Sequence, residues 1–104
     1  MAAKPVAWTL AAREDLLKIL SYLVLEAHAR IAAENLLDDI EKAAATLADF
    51  PDRGRIVPEL GPPLRELLVR GHRLVYRVRE GVEILRLLHS RQEFGRAWRR
   101  GPRG

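Results

Sequence analysis

Apolar positions early in the chain recur at helical spacing. Leu16, Ile19, Leu20, Leu23, Val24 and Ala27 fall on one stripe, the pattern of an amphipathic helix with one buried face. Glu14 and Lys18 stand four apart on the opposite face, in the order that favours an ion pair. Thr9 precedes the stripe where an N-cap belongs, its hydroxyl placed to accept from an unpaired amide of the first turn. Ahead of it, Val6 and Trp8 alternate with Ala7, which predicts a short strand over residues 4–8. A second stripe follows, Ala32, Leu36, Ile40, Ala43, Ala44 and Leu47, with Asp38 and Lys42 paired outside it. No proline or glycine separates the two stripes. One unbroken helix over residues 10–48 would nevertheless run about 58 Å at 1.5 Å per residue, too long for a compact domain of this size. Compactness therefore places a turn near residues 26–30 and makes the two stripes a helical hairpin.

The period then changes. Phe50-Pro51 ends the second helix, because proline disfavours helical geometry in the residue before it. Residues 51–63 hold four prolines and two glycines and read as an irregular connector. Three strands follow, over residues 64–69, 72–79 and 82–88, separated by Arg70-Gly71 and Glu80-Gly81 turns. In the middle strand Leu74, Tyr76 and Val78 alternate with Arg73, Arg77 and Arg79, and Val75 alone breaks the alternation. Tyr76 belongs in the core beside Leu74 and Val78. The pattern predicts an α+β fold: an N-terminal strand, a helical hairpin, and a three-stranded antiparallel meander with the helices on one sheet face. The other face, carrying Arg73, Arg77 and Arg79, is then open to a partner. Residues 1–94 read as a single domain and residues 95–104 as a flexible basic tail.

Composition narrows the class. With 104 residues and 48% hydrophobic content the chain suits one globular domain. It has no cysteine, so neither disulfides nor thiolate chemistry is available. No leader-like apolar run precedes Trp8, and no stretch is apolar enough to span a bilayer, so a cytoplasmic protein without membrane contact is expected. His28, His72 and His89 lack ligand spacing, so no metal and no cofactor is expected. The charge is asymmetric. Residues 1–50 carry 5 basic and 8 acidic side chains, whereas residues 51–104 carry 13 and 6, and all 13 of those bases are arginine. Guanidinium forks suit carboxylates and phosphates, which points to a polyanion or an acidic peptide as partner.

Four segments resemble, in order, the RelE/ParE superfamily of toxins from type II toxin–antitoxin pairs. VAWTLAAREDLLKILSYL (residues 6–23) is similar to the family's opening strand, capping Thr, Asp-Leu pair and aromatic-bearing helix. ADFPDRGRIVPEL (residues 48–60) resembles its post-helix stretch, where a Gly-Arg leads to Val-Pro-Glu-Leu. LRELLVRGHRLVYRV (residues 64–78) looks like its central hairpin, with an Arg-x-x-Tyr in the second strand, and ILRLLHSRQEF (residues 84–94) resembles its closing strand ending in His-x-Arg. The resemblance implies a growth-arresting toxin held by a cognate antitoxin in a hetero-oligomer.

That superfamily contains two biochemistries. RelE-like members cleave mRNA on the ribosome, and ParE-like members poison DNA gyrase. Cleavage through a 2′-hydroxyl needs a base, cations on the developing phosphorane charge, and an acid for the leaving oxygen. Arg65, Arg73 and Arg91 offer cations, but only His89 offers an acid–base group, and Phe94 stands where RelE-like chains carry a tyrosine. The ParE-like reading is therefore preferred, with binding rather than catalysis as the mode of action. Arg65, Arg73, Arg77, Arg79, Arg91 and Trp98 are the candidates for contact with target or antitoxin. A basic nucleic-acid-binding module without toxicity is the third reading, although no base-reading motif is present.

Overall fold

The computed structural model describes residues 3–100. Strand β1 (Val6–Trp8) leads into α1 (Leu10–Ser21), a single π-helical turn (Tyr22–Glu26) and α2 (Arg30–Thr46). Strands β2 (Arg55–Ile56), β3 (Arg65–Val69), β4 (His72–Val78) and β5 (Val82–His89) follow, and α3 (Phe94–Arg100) closes the chain. Thr9 is the N-cap of α1, its hydroxyl accepting from the Ala12 amide at 3.1 Å. The hairpin turn falls where compactness requires it, and His28 makes it by taking a left-handed φ of 51°. Between β3 and β4, Arg70 and Gly71 have φ of 47° and 79°, the two-residue turn whose twist matches flanking strands. Glycine takes that conformation freely. Arg70 does not, and an ion pair to Asp39 on α2 tethers it.

The sheet has five strands in the order β1-β5-β4-β3-β2, so the expected three-stranded meander forms only its middle. β1 lies parallel beside β5, Val6 opposite Val82 and Trp8 opposite Ile84, making the sheet mixed. β2, hidden in the proline-rich connector, pairs only with Arg65 and Glu66 of β3. Leu67, Leu68 and Val69 therefore form an open edge.

Two cores flank the sheet. On one face α1 and α2 bury Ala12, Leu36, Ile40, Ala44 and Leu47 against Leu74, Tyr76, Ile84 and Leu87. Three stripe positions depart from expectation: Val24, Ala27 and Ala32 are exposed, and Ala33 is buried in place of Ala32. For Val24 and Ala27 the cause is the π-helical turn, in which the Ala27 amide donates to the Tyr22 carbonyl five residues back. The wider turn rotates the faces beyond it out of the 3.6-residue register. Ala32 lies past the His28 turn, where α2 begins a register of its own.

The opposite face is not open. α3 folds back over it and buries Phe94 and Ala97 with Val57, Val75 and Leu88. Val75, which broke the strand's alternation, is the floor of this second core. Arg73 is buried there, contrary to its expected role on an open face. The expected basic tail likewise begins as a packed helix, because Phe94, Ala97 and Trp98 share the side of α3 that meets the sheet. Residues 101–104 of that tail lie outside the described part.

The β5 edge is sealed by α1. β1 ends opposite Ile84, and beyond it the Thr9 amide donates to the Ile84 carbonyl at 3.0 Å. The Thr9 hydroxyl donates to the Leu85 carbonyl at 3.0 Å, and the Asp15 carboxylate accepts the Leu87 amide at 3.0 Å. Asp15 also takes both arms of the Arg86 guanidinium, at 2.7 and 3.0 Å. The remaining nitrogen of Arg86 donates to the Trp98 carbonyl at 3.0 Å, which binds α3 to the same point.

Removing one partner of such a buried pair leaves an uncompensated charge, so Asp15→Asn should cost about 3 kcal/mol or more in urea unfolding. Glu34→Gln, in the exposed Arg30–Glu34 pair, should change it by less than about 0.5 kcal/mol. Truncation after Phe94 removes Ala97, Trp98 and the carbonyls that cap Arg86. The melting temperature by circular dichroism should fall by about 10 °C, the shift that roughly 2 kcal/mol produces in a domain of this size.

Candidate functional site

Two of the motifs that carry the resemblance meet at one place in the fold. Tyr76, at the end of Arg-x-x-Tyr, is fully buried, and its hydroxyl donates to the Pro51 carbonyl at 2.8 Å while accepting the Gly54 amide at 2.8 Å. Burial raises the phenol's pKa. A Cβ on residue 54 would lie 2.6 Å from that hydroxyl and 2.7 Å from the Glu66 carbonyl, so only glycine fits. Arg73, at the start of the same motif, donates to Glu66 at 2.6 Å and through both terminal nitrogens to Glu59, at 2.9 and 2.7 Å. Glu66 is fully buried and also accepts from Arg55 at 2.7 Å. The hydrogen bonds from Arg73 lower the pKa of Glu59, and those carboxylates hold Arg73 still more firmly protonated. The guanidinium of Arg73 lies 4.2 Å above the Phe94 ring, a cation–π contact under the start of α3. Gly-Arg with Val-Pro-Glu-Leu and Arg-x-x-Tyr are thus the two halves of one lock between connector and sheet.

A cavity of about 500 Å³ opens at the other end of the sheet, between α1, the π-helical turn and the end of β5. Its polar lining includes the Asp15–Arg86 pair, Lys18, Tyr22, His72, His89 and Gln92. His72 and His89 are direct cross-strand neighbours with rings edge to face at 5.1 Å. His89 Nδ1 accepts the Arg91 amide at 3.0 Å, and His72 Nδ1 lies 3.1 Å from the Arg70 carbonyl. The two rings therefore suit opposite neutral tautomers: Nδ1 bare in His89 and protonated in His72.

The expected site residues do not gather. Arg65 donates to the Gly54 carbonyl at 2.7 Å, on the helical side of the sheet beside Tyr76. Arg73 is locked on the opposite face. Arg77 is paired with Glu83 at 2.6 Å, while Arg79 and Arg91 are exposed and ion-pair with no described residue. Trp98 stacks on Phe94 at 5.7 Å and packs against the second core, which withdraws its indole from base stacking. Among the described residues no three His, Asp or Glu side chains gather around a cation-sized site. Asp15, Arg86, Glu59 and Glu66 escape the sequence reading, although Arg86 leaves a signal as a lone charge inside the apolar run Ile84–Leu88.

A helical hairpin over one face of a five-stranded mixed sheet is an α+β architecture that this chain shares with a solved toxin–antitoxin structure. The chain belongs to the ParE toxin family: the model of the ParE toxin of the type II toxin–antitoxin system parDE matches residues 6–94. Among solved structures it is similar to the chromosomal ParDE TA system from P. aeruginosa. That match has 25% sequence identity and a TM-score of 0.68, covering 84% of this chain and 96% of that one. No curated protein sequence matches it. Membership of a toxin–antitoxin family makes an antitoxin its partner. No helix among the described residues is long and apolar enough to cross a membrane.

The burial of His72 predicts a stability that is sensitive to acid. Burial holds His72 below its ordinary value of 6.5, and the neighbouring His89 acts in the same direction. The folded protein favours neutral His72 more than the unfolded chain does. The associated stability is therefore present above that ordinary value and lost as pH falls through the lowered folded one. Urea midpoints at about pH 7.5 and about pH 5 should differ less in His72→Gln than in the parent chain. An unchanged difference would assign the acid sensitivity to other groups.

Proposed function

We propose that this toxin arrests growth by binding DNA gyrase, with no chemistry of its own, and that it does so in the cytoplasm when released from its antitoxin. The observation that carries this reading is the dispersal of Arg65, Arg73 and His89, three of the four groups a ribonuclease would use; the fourth, Arg91, adjoins His89. Arg65 and His89 sit opposite Tyr76 and His72, four residues apart along β4, or about 13 Å at roughly 3.3 Å per residue. Arg73 is on the other face and saturated by two carboxylates. A base, an acid and an electrostatic clamp must all reach one phosphate within hydrogen-bond distance. Family membership in the ParE branch supports the same reading. The antitoxin then covers the apolar residues that the helical hairpin leaves exposed, Leu17, Leu25 and Ile31 among them.

Induction in cells tests the proposal by comparing gyrase-linked DNA breaks with cleaved mRNA. DNA breaks without mRNA cleavage are expected. His89→Gln should leave growth arrest intact, since glutamine can still accept the Arg91 amide. In a ribonuclease dependent on His89 the same change would cost about 10²-fold in rate. Abolished toxicity with an unchanged circular dichroism spectrum would favour the enzyme.

A further inference from the structure

α3 is amphipathic, and only its apolar side has a partner. Phe94, Ala97 and Trp98 meet the sheet, while Arg96 and Arg99, three residues apart, are exposed to solvent. A rise of about 1.5 Å per residue sets them roughly 4.5 Å apart along the axis, on one side of the helix. Neither is neutralised by a close carboxylate. Arg96 has only Glu93, at 3.8 Å with both side chains about seven-tenths exposed, and Arg99 has no ion pair with a described residue. Gly95 leaves room for Arg99 to lie back along the helix: a Cβ there would be 3.4 Å from its terminal nitrogen. Arg91, in the turn that launches α3, is likewise exposed and unpaired among the described residues. Of the other described arginines of the C-terminal half, Arg55, Arg65, Arg70, Arg73, Arg77 and Arg86 have carboxylate partners within the fold. Arg53 and Arg79 form no ion pair with a described residue, but they stand on separate segments away from α3.

We infer that the outer side of α3, with Arg91, Arg96 and Arg99, is a contact surface for the phosphate backbone of duplex DNA. Charge complementarity selects this occupant. Three exposed guanidiniums, two on α3 and one in the turn before it, with only the solvent-exposed Glu93 near Arg96, suit a continuous polyanion better than the apolar core of a protein interface. Guanidiniums can also pair with guanine edges, but contacts to phosphate oxygens carry no sequence information, and a mixed-sequence duplex is enough to register them. The contact rests on the gyrase reading in one respect: duplex DNA is the polyanion that such a target holds. The toxin would then dock on gyrase with its DNA in place, and α3 would touch the nucleic acid.

Fluorescence anisotropy of the full chain with a mixed-sequence duplex tests the surface directly, without gyrase. Three neutralised phosphates predict an affinity loss of about 40-fold between 50 and 200 mM salt. The exposed double variant Arg96→Gln/Arg99→Gln should fold as the parent does and reduce that loss to about 3-fold. No binding at micromolar protein in low salt, or an unchanged salt dependence in the double variant, overturns the inference. Stronger competition by single-stranded RNA of equal length would also overturn the assignment to duplex DNA. The gyrase reading is scored separately in cells. Undiminished gyrase-linked breaks from the double variant would remove the DNA contact and leave that reading standing. Duplex binding accompanied by mRNA cleavage instead of DNA breaks would do the reverse.

Discussion

The ion pair between Asp15 and Arg86 is where three separate parts of the chain are held together. Asp15 belongs to α1, Arg86 to β5, and the spare nitrogen of Arg86 reaches the last turn of α3. The carboxylate also accepts an edge amide that β1 is too short to satisfy. A buried pair of this kind gains little net stability over an apolar substitute, since desolvation offsets most of the attraction. Its value here is positional. An apolar pair of the same volume would fill the space but could not satisfy the Leu87 amide or fix where α3 ends. Both cores depend on that geometry, because one lies under α1 and the other under α3.

A second polar cluster does the corresponding work at the connector. Glu66 is fully buried between Arg55 and Arg73, Glu59 closes on Arg73 from the connector, and Tyr76 fixes the turn at Gly54. These are the residues through which the family resemblance is visible, and all of them serve the fold. A motif shared across toxins with different targets is better explained by such a lock than by a shared chemistry. Target choice is left to the surfaces the lock supports, which are free to differ without disturbing it.

Much of the architecture was legible because it follows from periodicity. The helical stripes, the N-cap at Thr9 and the strands of the central hairpin are all local signals. The turn between the helices followed from length alone. What stayed hidden depended on contacts between distant residues. β2 is two residues long and exists only because β3 lies beside it. The π-helical turn shifts Val24 and Ala27 outward without a proline or glycine to mark it. Alternation along β4 correctly put Arg73, Arg77 and Val75 on one face, but nothing local said that α3 would return to cover it. For that reason the arginines that looked most exposed included the most deeply paired one, and those on α3 looked like part of a loose end. The odd residue in each pattern was the better guide: Val75 among arginines marked a second core, and Arg86 among leucines marked the junction.

The two long edges of the sheet are unequal. Thr9 and Asp15 cap the β5 side, whereas β3 keeps Leu67, Leu68 and Val69 unpaired, with Leu68 61% exposed. On the β5 side the strand edge is reduced to the outer side of β1, three residues long. Two copies meeting through β3 would pair both of the longer apolar edges in a closed, two-fold arrangement. The hydrogen bonds that seat α1 therefore also shorten the edge through which the sheet could grow.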